Sequence, residues 1–312
     1  MWWQKMRKLF TPDAGAENTP TARTIHSSTP RGDWVACLNS AGSHRMVYYE
    51  WGDPDNPEVV ICVHGLTRTG RDFDALAAQL SRHYRVICPD IAGRGLSDWL
   101  PVKSEYGIPR YTADCQQLIA KIQPQRLYWV GTSMGGLIGM TLAAQQQPIA
   151  KLVLNDVGAV IAAEALARIG SYLTALPRFS SLSQAQAYLR QIHAPFGPLT
   201  DAQWAHLTRH SVRQEGDGHW VLHYDPGIAF PFLSAFAPQT VDLWPLYEAV
   251  RCPTLLIRGA ESDLLPRTVA QAMTDRGPCA TLVEFPGIGH APALLDQAQI
   301  AVVRDFLLDQ KG

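Results

Sequence analysis

Six short apolar runs, most of them rich in β-branched residues, recur along the chain with helix-length segments between them. They are Val59-Val60-Ile61-Cys62-Val63, Tyr84 to Cys88, Leu127 to Val130, Lys151 to Leu154, Thr254 to Ile257 and Thr281 to Phe285. A strand buried on both faces reads as a continuous apolar run, and its alternation with helices signals a parallel sheet covered on each side. The intervening patterns predict helices at about 72–82, 111–122, 134–146, 267–275 and 293–308. Ahead of them, Trp34 to Leu38 and Met46 to Trp51 read as a hairpin turning at Ser40-Ala41-Gly42-Ser43.

One interval breaks this rhythm. Between Leu154 and Thr254 no sheet strand is expected, and the composition shifts toward Ala, Leu, Gln and aromatics. A bare loop of that length is foreign to a compact domain. Residues 158–247 are therefore expected to form a mostly helical insertion over the carboxyl edge of the sheet, where open α/β folds bind ligands. The core would comprise 33–157 and 248–312, preceded by a flexible extension at 1–32. The first ten residues are basic and partly apolar, but no apolar h-region follows them, so a secretory signal is not expected.

With 46% hydrophobic and 18% charged residues, the chain can bury a large core. A net charge of -1 and the absence of a basic stripe interleaved with aromatics argue against nucleic-acid binding. No apolar run reaches the length of about 18 residues that a membrane-spanning helix needs. Six cysteines, none in a Cys-x-x-Cys pair, fit small buried hydrophobes and a reducing, cytoplasmic setting.

Candidate chemistry gathers at the strand ends. Ser133 lies in Gly131-Thr132-Ser133-Met134-Gly135-Gly136, directly after an apolar strand and before a helix. A sharp turn there exposes the hydroxyl but crowds its neighbours, so small residues are required on either side. His290 follows the last apolar run in the glycine-bearing stretch Pro286-Gly287-Ile288-Gly289-His290 and would accept the Ser133 proton. Asp263 is the preferred partner for the other imidazole nitrogen, while Asp156 and Glu261 compete for that role. His64-Gly65 follows the first buried strand, and the amides of Leu66 and Met134 are the expected oxyanion donors. His64 itself reads as a residue that shapes the loop.

These pieces, with Asp90-Ile-Ala-Gly-Arg-Gly-Leu-Ser-Asp98, resemble the α/β-hydrolase family from about Asp33 onward. The resemblance implies an eight-stranded, mostly parallel sheet flanked by helices, with a helical lid inserted after the sixth strand. It also implies that the 90–98 loop chiefly supports architecture. Haloalkane dehalogenases and epoxide hydrolases of the family carry aspartate at the nucleophile position and dienelactone-type hydrolases carry cysteine, so Ser133 disfavours all three. Serine with a helical lid is similar to carboxylesterases, lactonases, thioesterases, C–C bond hydrolases of aromatic degradation and perhydrolases.

The leading expectation is a carboxylesterase-like serine hydrolase for a small apolar or aromatic substrate. A C–C hydrolase is the alternative, with Arg68 or Arg168 as candidates for a substrate carboxylate; a ligand sensor on the same scaffold is a third reading. No cofactor or metal is expected, because the triad supplies nucleophile, base and electrophilic help. Among the aromatics of the insertion, which include Phe236, Trp220 and Tyr224 are the candidates for substrate contact, since they lie in the turn-rich stretch His219 to Gly227.

Overall fold

A computed structural model describes residues 29–173, 175–233 and 239–309. Most of the expected extension, 1–28, and Phe236 lie outside the described residues. The first half of the core contains β1 (Arg31–Asn39), β2 (Gly42–Trp51), β3 (Glu58–Val63), α1 (Asp74–Leu80), β4 (Arg85–Pro89), α2 (Ile108–Ile122), β5 (Arg126–Thr132), α3 (Met134–Ala144) and β6 (Ile149–Asn155). The long connection then holds β7 (Val160–Ile161), α4 (Ala163–Leu173), β8 (Arg178–Phe179), α5 (Leu182–Ile192), α6 (Asp201–Ser211), β9 (Val212–Gln214), β10 (Trp220–Leu222), α7 (Phe230–Leu233), β11 (Val241–Asp242) and α8 (Trp244–Glu248). The core resumes with β12 (Thr254–Gly259), α9 (Arg267–Asp275), β13 (Thr281–Phe285) and α10 (Gln297–Leu308).

Eight strands form one sheet in the order β1-β2-β4-β3-β5-β6-β12-β13. The β1–β2 hairpin pairs antiparallel, β2 joins β4 antiparallel, and every later pairing is parallel. The apolar runs become strands because each supplies both layers of the core. In β3, Val59, Ile61 and Val63 join one hydrophobic cluster, while Val60 and Cys62 join the cluster on the opposite face. All five are at most 1% exposed. Burial of a Val or Ile side chain contributes about 1.5–3 kcal/mol, so one strand of this kind pins the sheet between its helices.

The long connection adds no strand to the main sheet, as expected. It is less uniformly helical than its composition suggests: β8, β10 and β9 make a three-stranded sheet, and β11 pairs with β7. Ile161, Ala165, Ile169 and Leu173 continue the core cluster that contains Ile138 and Leu154. Among the described residues, no helix is long and apolar enough to cross a membrane. Cys37, Cys62, Cys88 and Cys115 are buried free thiols, Cys252 is half-buried and Cys279 is exposed.

Candidate active site

Ser133 occupies the one-residue junction between β5 and α3, with φ 51° and ψ −113°. That positive φ is costly for a residue with a side chain and persists only where the surroundings enforce it. The enforcement comes from glycines. A Cβ on Gly131 would lie 2.2 Å from the Gly135 carbonyl oxygen, and one on Gly135 would lie 2.0 Å from that of Val63. The Ser133 amide donates to Asn155 O at 2.9 Å, locking the turn onto the end of β6.

The loop after β13 brings His290 over this turn. Its Nε2 lies 3.0 Å from Ser133 Oγ, and its Nδ1 lies 2.7 Å from Asp156 Oδ2. Asp156 directly follows β6, is fully buried and adopts φ 56°. Its Oδ1 accepts the Gly259 amide at 2.9 Å, and its Oδ2 also accepts the Ser262 hydroxyl at 2.6 Å. Three partners therefore hold the Asp156 carboxyl in place, the arrangement that makes a buried polar group tolerable. Asn155 ties the two halves together, donating to Thr132 Oγ1 at 2.9 Å and to Pro292 O at 2.8 Å.

Asp263 is not beside the imidazole. It is about half exposed and faces outward to Arg168 of α4, with Asp263 Oδ2 2.5 Å from Nε and Oδ1 3.0 Å from Nη2. Glu261 is exposed as well. The β12 loop reaches His290 only indirectly, through the Ser262 hydroxyl on Asp156. The sequence offers Asp156 and Glu261 as alternatives and gives no role to Ser262 or Asn155. Their signal was only that each adjoins an acid at a strand end.

The His64–Leu66 loop borders Ser133, since a Cβ on Gly65 would lie 3.8 Å from Ser133 Cβ. His64 is buried, donates from Nδ1 to Gly65 O at 2.7 Å and accepts the Ile91 amide on Nε2 at 3.0 Å. Burial pushes its pKa down to about 3, so the ring is neutral and serves as a bracket for the loop. The amides of Leu66 and Met134 have no acceptor among the described residues, and both residues line the cavity above Ser133.

That cavity has a volume of about 410 Å³. Leu137, Thr141 and Val157 form its core side, and Ile161, Leu166, Ile169, Phe232 and Leu243 come from the long connection. No charged side chain lines it among the described residues. Neither Trp220 nor Tyr224 lines it, contrary to expectation. Trp220 pairs within the small sheet opposite Phe179 and Gln214, and Tyr224 packs beside Arg68 and Tyr172 at a separate gap. The 219–227 stretch instead anchors the connection to the core: Gly95 N donates to His223 O at 2.9 Å and Asp225 N to Gly93 O at 2.7 Å. Arg68 is engaged by Asp72 at 2.7 Å and Ser211 at 2.8 Å, and Arg168 by Asp263; neither reaches the cavity.

Among the described residues, Cys37, His44 and Asp114 cluster in one place and Asp74, His206 and His210 in another, as metal-ligand types would. Neither group lines the Ser133 cavity, and His44 Nε2 and Asp114 Oδ2 already satisfy each other at 2.9 Å.

Comparison with known proteins agrees with this architecture. The chain is 48% identical over 288 residues to a 3-hydroxybutyrate-oligomer hydrolase of Cupriavidus necator, covering 90% of this chain and 98% of that protein. It is 29% identical over 245 residues to a 2-(acetamidomethylene)succinate hydrolase of Mesorhizobium japonicum, covering 74% and 81%. A crystal structure of an alpha/beta hydrolase from Novosphingobium aromaticivorans superposes with a TM-score of 0.79 at 35% identity, covering 89% of this chain and 98% of that one. The model of the alpha/beta hydrolase family matches residues 60–304, and with the eight-stranded sheet this identifies the chain as a hydrolase of the alpha/beta hydrolase family.

Proposed function

We propose that the protein is a serine ester hydrolase, with Ser133 as nucleophile, His290 as general base and acid, and Asp156 as the residue that orients the imidazole. The observation that carries this reading is the continuous chain of hydrogen bonds from Asp156 through His290 to Ser133 Oγ, opening on the apolar cavity. In acylation, Ser133 Oγ attacks the ester carbonyl as His290 Nε2 takes its proton. The carbonyl oxygen becomes an oxyanion facing the amides of Leu66 and Met134. When the tetrahedral species collapses, the C–O bond to the alcohol breaks and His290 returns the proton to the departing oxygen. Water then repeats the sequence on the acyl-enzyme, releasing the acid and restoring Ser133. Each oxyanion donor of this kind is worth roughly 10²–10³ in kcat, and the α3 N-terminus adds its dipole in the same sense. Asp156 takes no proton in the cycle, and its negative charge stabilises the transient imidazolium.

The cavity chemistry and the 48% identical relative together support short oligoesters of 3-hydroxy acids as substrates. Such chains present methyl branches and ester carbonyls along their length and need few donors from the protein. A succinate-type substrate carries two carboxylates where a linear 3-hydroxybutyrate oligomer carries one at its end, so a cavity with no charged side chain among the described residues opposes the succinate more. The long connection acts as the lid, supplying Leu166, Ile169 and Phe232 over the nucleophile.

The test is twofold. A fluorophosphonate should label Ser133, and the protein should release 3-hydroxybutyrate from its linear dimer and trimer. Labelling that survives in Ser133→Ala would refute the nucleophile, whereas labelling without oligoester hydrolysis would refute the substrate class alone.

A further inference from the structure

Arg94 is among the largest fully buried side chains of the protein, at 0% exposure. It belongs to the 90–98 loop, whose glycines deliver it inward. Gly93 and Gly95 have φ 83° and 52°, and a Cβ on Gly95 would lie 2.1 Å from Asp90 Oδ2. Asp90 holds the loop by accepting the amides of Gly70 at 2.8 Å and Leu96 at 2.9 Å.

The guanidinium has no carboxylate within ion-pair distance among the described residues. Its acceptors are neutral: Nε donates to Leu66 O at 2.8 Å, Nη1 to Ala92 O at 2.7 Å, and Nη2 lies 3.6 Å from Met134 Sδ. Its plane is covered by Tyr111 at 4.8 Å and Tyr106 at 5.8 Å. A cation buried among neutral partners is expensive, and an apolar side chain of similar length would fill the space without that cost. Two of its three acceptors belong to Leu66 and Met134, which line the cavity above Ser133 and whose amides have no acceptor among the described residues.

We propose that Arg94 is a positioning residue of the oxyanion hole: it clamps the Leu66 carbonyl and the Met134 side chain from behind, keeping both amides aimed at the carbonyl oxygen. Its fixed charge, buried from solvent, also favours the oxyanion as it forms. The inference rests on the reading of Ser133 as nucleophile. It assigns a part in turnover to a loop that family resemblance marks as architectural.

The test compares the full-length wild type with Arg94→Met and Arg94→Lys, using p-nitrophenyl butyrate, with sites counted by fluorophosphonate labelling and folding followed by thermal melts. Arg94→Met should lower kcat per labelled site by roughly 10- to 100-fold, less than outright loss of a donor, with KM changed by no more than about threefold. Arg94→Lys should fall between, because it keeps the charge but loses the fork that holds three acceptors. A merely structural role would lower the melting temperature and leave kcat per site within about twofold of wild type, and that result overturns the proposal. Should Arg94→Met fail to fold, Arg94→Lys decides: a kcat loss at unchanged KM supports the clamp, and an unchanged kcat removes it. A wild type that takes no label refutes the nucleophile and the clamp together, whereas labelled variants with undiminished kcat refute the clamp alone.

Discussion

His290 Nδ1 and Asp156 Oδ2 lie 2.7 Å apart, and this pairing reaches from the loop after β13 to the end of β6, across the intervening β12. The strand between them contributes Gly259 N, and the loop after it Ser262 Oγ, to the same carboxylate. The acid at the end of β6 is thus fixed by three donors from the ends of β12 and β13.

Exchanging the two candidate acids tests this arrangement directly. Asp156→Asn should lower kcat by roughly 10⁴-fold, because an amide can hold the imidazole in the wrong tautomer and cannot stabilise its charge. Asp263→Asn should leave kcat within about twofold, since it breaks an ion pair with an exposed arginine, a kind of contact worth about 0–1 kcal/mol. Steady-state kinetics on one ester substrate separate them. The reverse ranking would return the role to the β12 loop.

The comparison shows where sequence reading succeeds and where it stops. The elbow is legible because steric crowding leaves a composition mark: a Cβ on Gly131 or Gly135 would lie within 2.2 Å of a backbone carbonyl oxygen. The strands were legible because Val59 to Val63 must serve two cores at once. Asp156 and Asp263 both follow an apolar run, and nothing local separates them. The choice is made by tertiary neighbours, Ser262 drawing in the one and Arg168 of the inserted segment drawing out the other. Trp220 and Tyr224 misled for a related reason, because an aromatic, turn-rich stretch is equally suited to anchoring a lid and to lining a pocket.

His64 gives the stability a defined dependence on pH. Its folded pKa, about 3, is depressed by burial below the ordinary histidine value of about 6.5. Its contribution is therefore complete above about pH 6.5 and is lost as pH falls toward 3, because the unfolded chain takes up a proton that the folded ring refuses. Between about pH 7 and pH 5 this amounts to about 2 kcal/mol. His210 and His223 are depressed in the same direction by burial. Urea titrations at several pH values should show stability falling over this range, and His64→Gln, which can still accept the Ile91 amide, should make the fall shallower by about that amount. An identical slope in both proteins would remove His64 from the account.

Under the proposed ester hydrolysis, with the acyl chain in the cavity, Leu166 becomes a control point for chain length. It projects from α4 into the cavity and is only partly buried, so a larger ring there costs little in packing. Leu166→Trp should preserve hydrolysis of p-nitrophenyl acetate within about threefold while reducing kcat/KM for the octanoate by about tenfold or more, tenfold being the low end for misfit of even one methylene in an apolar pocket. Equal losses on both esters would mean that the acyl chain lies elsewhere.

Asp225 should be the main electrostatic anchor of the inserted segment, and its partners differ in weight. It is 2% exposed and accepts the Tyr106 hydroxyl at 2.6 Å and the Gly227 amide at 2.8 Å, while Lys103 Nζ completes the set. Lys103 is 41% exposed, so solvent screens its charge and its loss should cost at most about 1 kcal/mol. Removing the carboxylate instead strands the buried Tyr106 hydroxyl and the Gly227 amide together, at about 1–3 kcal/mol each. Urea denaturation should therefore rank Asp225→Ala as the most damaging substitution, Tyr106→Phe next and Lys103→Ala last. A Lys103→Ala variant as unstable as Asp225→Ala would show that the ion pair, rather than the buried hydrogen bonds, holds the segment against the Lys103–Tyr106 stretch of the core.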